Sequence, residues 1–212
     1  MTESTTIAIL ALLVAFLIGS IPFAVIVSKI MGLDDPRSYG SGNPGATNVL
    51  RTGNKFAALL TLVGDAAKGL FVVALSKALA ASLGLSMQLL AGIALAVFLG
   101  HVFSVFLKFR GGKGVATAAG VLFGIYWQVG AATLGVWLIV AFTTRYSSLA
   151  ALSAAVAAPF LTLWLTHNET WTGATVIMGA ILIWRHKENI RKLLAGQEGR
   201  LGKKKTEDQA NA

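Results

Sequence analysis

Apolar residues fall into long runs separated by short polar islands. The runs cover roughly 6–31, 56–83, 87–107, 115–126, 129–143, 147–166 and 171–184. Crossing a bilayer as a helix takes about 20 apolar residues. A helix also satisfies its own backbone groups where no water can. The pattern therefore predicts an all-α polytopic membrane protein with seven transmembrane helices. The fourth and fifth runs are short and are divided only by IYWQVG, residues 125–130. The alternative count is five or six spans with a re-entrant piece. The first run has no basic stretch before it and exceeds the roughly 7–15 residues of a signal-peptide core. It reads as a retained first span.

Basic residues sort the loops into two sets. Arg37, Arg51 and Lys55 follow the first run, Lys108, Arg110 and Lys113 the third, and Arg145 the fifth. Arg185, Lys187, Arg191, Lys192, Arg200 and Lys203 to Lys205 follow the seventh. The intervening LGLSMQ, YWQVG and THNETW carry none, and Lys77 alone is placed toward their side. Positive charge marks the cytoplasmic face, so the expected topology is N-terminus outside and C-terminus cytoplasmic. Residues 1–199 form the expected membrane domain. Residues 200–212 read as a polar, disordered cytoplasmic tail. Its lysine triplet suits an anionic lipid surface, at about 1 kcal/mol per charge.

Composition agrees with a bilayer protein. The chain is 55% hydrophobic and 13% charged, with a mean hydropathy of +0.71, against about 25% charged in soluble domains. The net charge of +9 resides in one set of loops, so it implies no nucleic acid. With no cysteine, disulfides, thiolate nucleophiles and cysteine metal sites are excluded. His101, His167 and His186 lack metal-ligand spacing. No cofactor or metal is expected.

Three polar islands share the basic face. The first, DDPRSYGSGNPGATNVLRTGNK (residues 34–55), contains GSGNPG, a literal GxGxxG. That motif binds dinucleotides only after a strand in a βαβ unit, and an apolar span precedes it here. The local chemistry still suits an anion. Glycines admit close backbone approach, Ser41, Asn43, Thr47 and Asn48 add short polar groups, and Arg51 adds a cationic fork. The second island, GHVFSVFLKFRGGKGVAT (residues 100–117), holds Gly111-Gly112-Lys113-Gly114. It is not a Walker A loop, because Gly114 follows Lys113 and Leu107 stands where the first glycine belongs. It nonetheless places a lysine and glycines at a helix start, where free N–H groups and the helix dipole favour phosphate. His101 lies beside this island. The third, RHKENIRKLLAGQEGR (residues 185–200), carries Arg185, His186 and Asn189 near its start. It reads either as a site element or as a basic amphipathic helix on the headgroups. Asp65 and Lys68 stand at i,i+3 inside a span and read as a structural ion pair near the cytoplasmic boundary.

GSGNPGATNVLR, GHVFSVFLKFRGGKGVAT and RHKENIRKLLAGQE, in this order, resemble the bacterial integral-membrane glycerol-3-phosphate acyltransferases that use acyl-phosphate, the PlsY family. The resemblance extends to about Arg200. Val105 stands where that family often has Pro, and Lys187 where it often has Arg. It implies a seven-helix enzyme of the bacterial inner membrane with a cytoplasmic site. Such an enzyme moves a fatty acyl group from acyl-phosphate to the 1-hydroxyl of sn-glycerol 3-phosphate. Lysophosphatidic acid and phosphate are the products, in the first acylation of phospholipid synthesis. By the same resemblance the Gly111, Gly112, Lys113, Gly114 loop cradles the phosphate of acyl-phosphate. Ser41, Arg51, Lys113, His186 and Asn189 hold glycerol 3-phosphate, with Ser148 beside them, although neighbouring Ser147 competes for that role. Asn43, Asn48 and His101 are site or scaffold residues. Ser41, His101, Lys113 and His186 are the catalytic candidates. The soluble enzyme that makes acyl-phosphate is a candidate partner.

The chemistry is compatible with these residues. Acyl-phosphate is already activated, so no covalent intermediate is required. The residues five after His101, His167 and His186 are Phe106, Thr172 and Arg191, so the HxxxxD of many coenzyme A acyltransferases is absent. Cations and N–H groups would offset the repulsion between two phosphates. The attacking hydroxyl's proton would pass to a substrate phosphate, or to His186 or His101. A transporter of phosphate or a phosphate ester is the competing class. Transporters usually show internal repeats and midplane sites, and neither is visible here.

Overall fold

The computed structural model describes residues 3–202, which are helical and irregular without strands. Helices α1 (Glu3–Ser20) and α2 (Phe23–Ile30) share the first apolar run, and a short α3 (Ala46–Val49) lies in the first island. The long α4 (Lys55–Leu83) and α5 (Met87–Val102) follow. Beyond the glycine-lysine loop come α6 (Val115–Ile125), α7 (Trp127–Thr144), α8 (Ser147–Thr166), α9 (Glu169–Arg185) and α10 (Lys187–Leu194). Among the described residues four helical segments are long and apolar enough to cross a bilayer: Lys55–Leu83, Met87–Leu107, Trp127–Thr144 and Ser147–Thr166. The bent α1–α2 pair makes a fifth. The fourth and seventh runs are shorter helices, α6 of 11 residues and α9 of 17. The protein is thus an all-helical polytopic membrane protein with four to five candidate spans.

The caps follow from the polar residues between runs. Asn54, Ser86 and Asn168 accept the N–H of Ala57, Leu89 and Trp171, at the starts of α4, α5 and α9. Gly84, at φ +60°, ends α4 in the left-handed conformation.

The first run departs from expectation. It is not one continuous helix over 6–31 but two helices bent by 41°. Pro22 is the cause, because it lacks an N–H and cannot continue the ladder. The break leaves carbonyls for other partners. Ser104 Oγ donates to the Ser20 carbonyl at 2.5 Å, and Lys68 Nζ donates to the Ile21 carbonyl at 2.9 Å.

Helix α4 packs chiefly on α6, α1 on α5, α7 on α8, and α8 on α9. The α4–α6 contact is backbone to backbone. A Cβ on Gly69 would strike the Thr117 carbonyl, and one on Gly120 the Ala66 carbonyl. In a bilayer, close packing of small residues substitutes for the hydrophobic drive between helices. Phe98, Ile93, Val97 and Val121 fill the interior, whereas Leu10, Leu13, Phe142, Phe160 and Trp164 remain exposed, as a lipid-facing surface requires. Lys77, the exceptional cation, donates to the Gly124 and Ile125 carbonyls at 3.1 and 2.5 Å. It caps the C-terminus of α6, where the helix dipole favours positive charge.

Candidate active site

The glycine-lysine loop is tied down at one end and open at the other. Gly111 and Gly112 donate their N–H groups to the Val102 and His101 carbonyls, both at 3.1 Å. Those two donors hold the loop and are not free for phosphate, contrary to the expectation that all four residues cradle it. No carbonyl among the described residues takes the N–H of Lys113 or Gly114. The open end also has the α6 N-terminus directly behind it. Gly114 sits at φ +91° with the Phe98 ring where a Cβ would lie, so only glycine suits the turn. Arg185 braces the loop from α9, donating from Nη2 to the Gly111 carbonyl at 2.9 Å. Its Nε is buried and has no hydrogen-bond partner among the described residues.

Lys113 leads a connected polar chain. Its Nζ donates to Asn189 Oδ1. Asn189 Nδ2 donates to Glu198 Oε1 at 2.7 Å, and Ser148 Oγ donates to the same oxygen at 2.6 Å. Burial, with Arg185, Arg51 and Lys192 nearby, pulls the Lys113 ammonium down to about 8, against the pull of Glu198. Second and third islands therefore meet through Lys113 and Asn189. The segment after α10 closes over this point. Leu201 N–H donates to the Arg145 carbonyl at 2.7 Å, and Arg200 Nε donates to Tyr146 Oη at 3.2 Å. Lys203 to Lys205 and their proposed lipid contact lie outside the described residues.

His186 is buried between α9 and α10. Its Nδ1 lies 2.8 Å from the Leu182 carbonyl. A carbonyl can only accept, so Nδ1 carries the proton and Nε2 is the acceptor. Burial lowers its pKa to about 4, so the ring is neutral near pH 7.

The first island joins from the other side. Asn48 is fully engaged. It donates to the Pro36 and Tyr39 carbonyls at 2.6 and 3.2 Å and accepts the Ser41 N–H at 3.0 Å. It shapes the loop rather than facing a ligand. Ser41 and Arg51 are exposed, with no side-chain hydrogen bond among the described residues. A Cβ on Gly40 would meet both Asn48 and Arg51, so the guanidinium lies over that turn. Asn43, against Gly45, is likewise unengaged. Thr47 Oγ1 and Ser147 Oγ lie 3.5 Å apart. This separates the two serines of α8: Ser147 faces the first island, and Ser148 joins Glu198. Pro44, Gly112, Asp65, Lys68 and His101 line one small cavity, so His101 lies under the loop.

The family model for glycerol-3-phosphate acyltransferase matches residues 9–196. The chain belongs to that family. A glycerol-3-phosphate acyltransferase of Cupriavidus necator is 59% identical over 193 residues, covering 91% of this chain and 96% of its own length. One from Paraburkholderia phytofirmans is 60% identical over 197 residues, covering 93% and 92%. Among solved structures, PlsY (YgiH), an integral membrane glycerol 3-phosphate acyltransferase, matches in its glycerol 3-phosphate form with a TM-score of 0.85. Identity there is 37%, with 92% of this chain and 96% of that chain covered. Its lysophosphatidic acid form matches with a TM-score of 0.84.

For an acyltransferase of this family, one group and one brace escaped the sequence reading. Glu198 stood unremarked near the end of the third island, and only the fold brings it to Ser148 and Asn189. Arg185 stood in the third island, but its hold on the Gly111 carbonyl needs α9 and the loop side by side. Among the described residues no group of three or more His, Asp or Glu could hold a metal.

Proposed function

We propose that the chain transfers a fatty acyl group from acyl-phosphate to the 1-hydroxyl of sn-glycerol 3-phosphate, releasing phosphate and lysophosphatidic acid. The observation that carries this reading is Lys113. It is a partly buried cation at a glycine turn, joined through Asn189 to the third island and within electrostatic reach of Arg51. Lys113, Arg51, Ser41, Ser148, Asn189 and His186 hold glycerol 3-phosphate. The free N–H groups of Lys113 and Gly114, backed by the α6 dipole, hold the phosphate of the donor. Asn43 stands beside the donor. The cations offset the repulsion of two phosphates, and orientation supplies much of the remaining rate.

The hydroxyl attacks the acyl carbon, the acyl–oxygen bond breaks, and inorganic phosphate leaves. The hydroxyl proton goes to a phosphate oxygen. A phosphate monoester has a second pKa of about 6, whereas His186 is held near 4. The phosphate is therefore the stronger base of the two. His186 Nε2 serves as a hydrogen-bond acceptor that aims the hydroxyl.

The same reading includes seven spans, with α6 and α9 as the short ones, the N-terminus outside and the site facing the cytoplasm of a bacterial inner membrane. Contact with the soluble enzyme that makes acyl-phosphate follows from the donor's chemistry. Because the chain has no cysteine, single cysteines at Ser86 and Lys108 can be labelled with an impermeant maleimide. Labelling from opposite sides supports the topology, and labelling from one side contradicts it.

The reaction itself is tested with purified protein and labelled glycerol 3-phosphate. Palmitoyl-phosphate should give labelled lysophosphatidic acid, and palmitoyl-coenzyme A should give none. Product from the thioester alone would overturn the donor assignment.

A further inference from the structure

Under the loop, apart from the groups assigned to substrate, lies a closed polar cluster. Asp65 and Lys68 come from α4 and His101 from α5, and all three are buried. Lys68 Nζ is 2.8 Å from Asp65 Oδ1, 2.9 Å from the Ile21 carbonyl and 2.9 Å from His101 Nδ1. An ammonium has three donors and no acceptor. Asp65 Oδ1 also lies 3.4 Å from His101 Nδ1, but the Lys68 contact is the shorter one. With the three donors of the ammonium on the three nearer acceptors, His101 Nδ1 is left without a proton. The ring's proton sits on Nε2.

That nitrogen lies against the loop. A Cβ placed on Gly112 would strike His101 Nε2 before any other atom. The Gly112 N–H also donates to the His101 carbonyl at 3.1 Å. Ring and carbonyl of one residue thus seat the glycine next to Lys113. The cluster is fastened on two further sides. The carbonyl freed by the Pro22 break takes Lys68, and Thr117 Oγ1 of α6 donates to the Asp65 carbonyl at 2.9 Å. A pair serving only as an ion pair would need neither the histidine nor the helix break.

We propose that Lys68 is a positioning residue for acyl transfer. It fixes His101 as the Nε2–H tautomer and so sets the surface on which the Gly112–Lys113 turn rests. Asp65 neutralises the ammonium so that it can stay inside the bundle. The kinetic part of the test rests on the proposed acyl transfer, and the spectroscopic part does not.

The test uses full-length protein in detergent, labelled with 15N-histidine. The chain has three histidines, so His167→Gln and His186→Gln assign His101 by elimination. The wild type should show His101 protonated on Nε2 and bare on Nδ1. The double variant Asp65→Asn/Lys68→Met removes both charges together and avoids the cost of a lone buried ion. It should keep a cooperative thermal transition while the His101 proton redistributes between the two nitrogens. Gly112→Ala is the reference, because it forces a side chain into the same contact. The double variant should raise, by about tenfold, the KM of the same phosphate substrate whose KM Gly112→Ala raises, with the other KM nearly unchanged. A wild-type proton on Nδ1 overturns the proposal, and so do wild-type kinetics in a folded double variant. If the double variant does not fold, the wild-type spectrum decides. A wild type that makes no lysophosphatidic acid defeats the acyl-transfer reading and leaves the tautomer result standing.

Discussion

Two cationic regions stand on either side of one glycine turn, and they treat charge in opposite ways. Beneath the turn, Lys68 spends its three donors on Asp65, Ile21 and His101, and the Lys68–Asp65 side chains are 2% and 3% exposed. Above it, Lys113 has one neutral partner, Asn189. Among the described residues Arg51 has no side-chain hydrogen-bond partner, and Arg185 keeps an unpaired Nε. The lower cluster is complete without a ligand. The upper one carries an excess of positive charge with Glu198 as its nearby carboxylate. A buried cation that is fully paired holds structure. One left short of acceptors is suited to an anion that comes and goes.

Breaking the lower cluster should have the largest effect. Lys68→Met leaves Asp65 as an uncompensated buried charge, a loss of about 3–5 kcal/mol. Thermal unfolding in detergent measures it, and an unchanged transition would show that Asp65 is not charged in the folded protein. Glu198→Gln sharpens the contrast from the other side. It removes the negative charge beside Lys113 and weakens charge-assisted bonds from Ser148 and Asn189, worth about 1–2 kcal/mol in sum. Competition between this carboxylate and phosphate predicts a lower KM for glycerol 3-phosphate, with a lower transition temperature. A raised KM would mean that Glu198 only organises the site. The smallest effect belongs to Arg37→Ala. Its pair with Asp35 spans 2.6 Å, but the side chains are 46% and 36% exposed. Exposed pairs contribute about 0–1 kcal/mol, so stability and activity should both stay near wild type.

The limits of the sequence are seen in the same two regions. The apolar runs locate the helices closely, and α8 begins and ends where its run does. Hydropathy could not reveal the break at Pro22, although the proline stood in view. A window average registers apolar character, and a missing N–H does not change it. Nor does the average register length, since α6, with 11 residues, is as apolar as the longer helices. At the site, the motifs pointed to Lys113 and Asn189 and the family resemblance added Ser148, and the fold gathers all three around Glu198. The motifs also pointed to Asn48, Gly111 and Gly112, whose polar groups hold the loops in shape. Local pattern cannot tell a donor that faces a ligand from one that faces its own backbone. Asp65 and Lys68 looked like a simple i,i+3 pair, because their third partner is a histidine on another helix.

Lys113, charged below about pH 8, is suited to meet a phosphate dianion. Calorimetric titration of glycerol 3-phosphate against the purified protein between pH 6.5 and 9.5 would show this charge at work. With Lys113 at about 8 in the free protein, the ammonium is present below that pH and lost above it. The ligand is a dianion across this range, given a second pKa of about 6. Affinity should therefore hold to about pH 8 and fall beyond it. Lys113→Met should weaken binding by about 10²-fold and flatten the profile. An unchanged affinity in Lys113→Met, or a profile that falls equally in both proteins, would contradict that role.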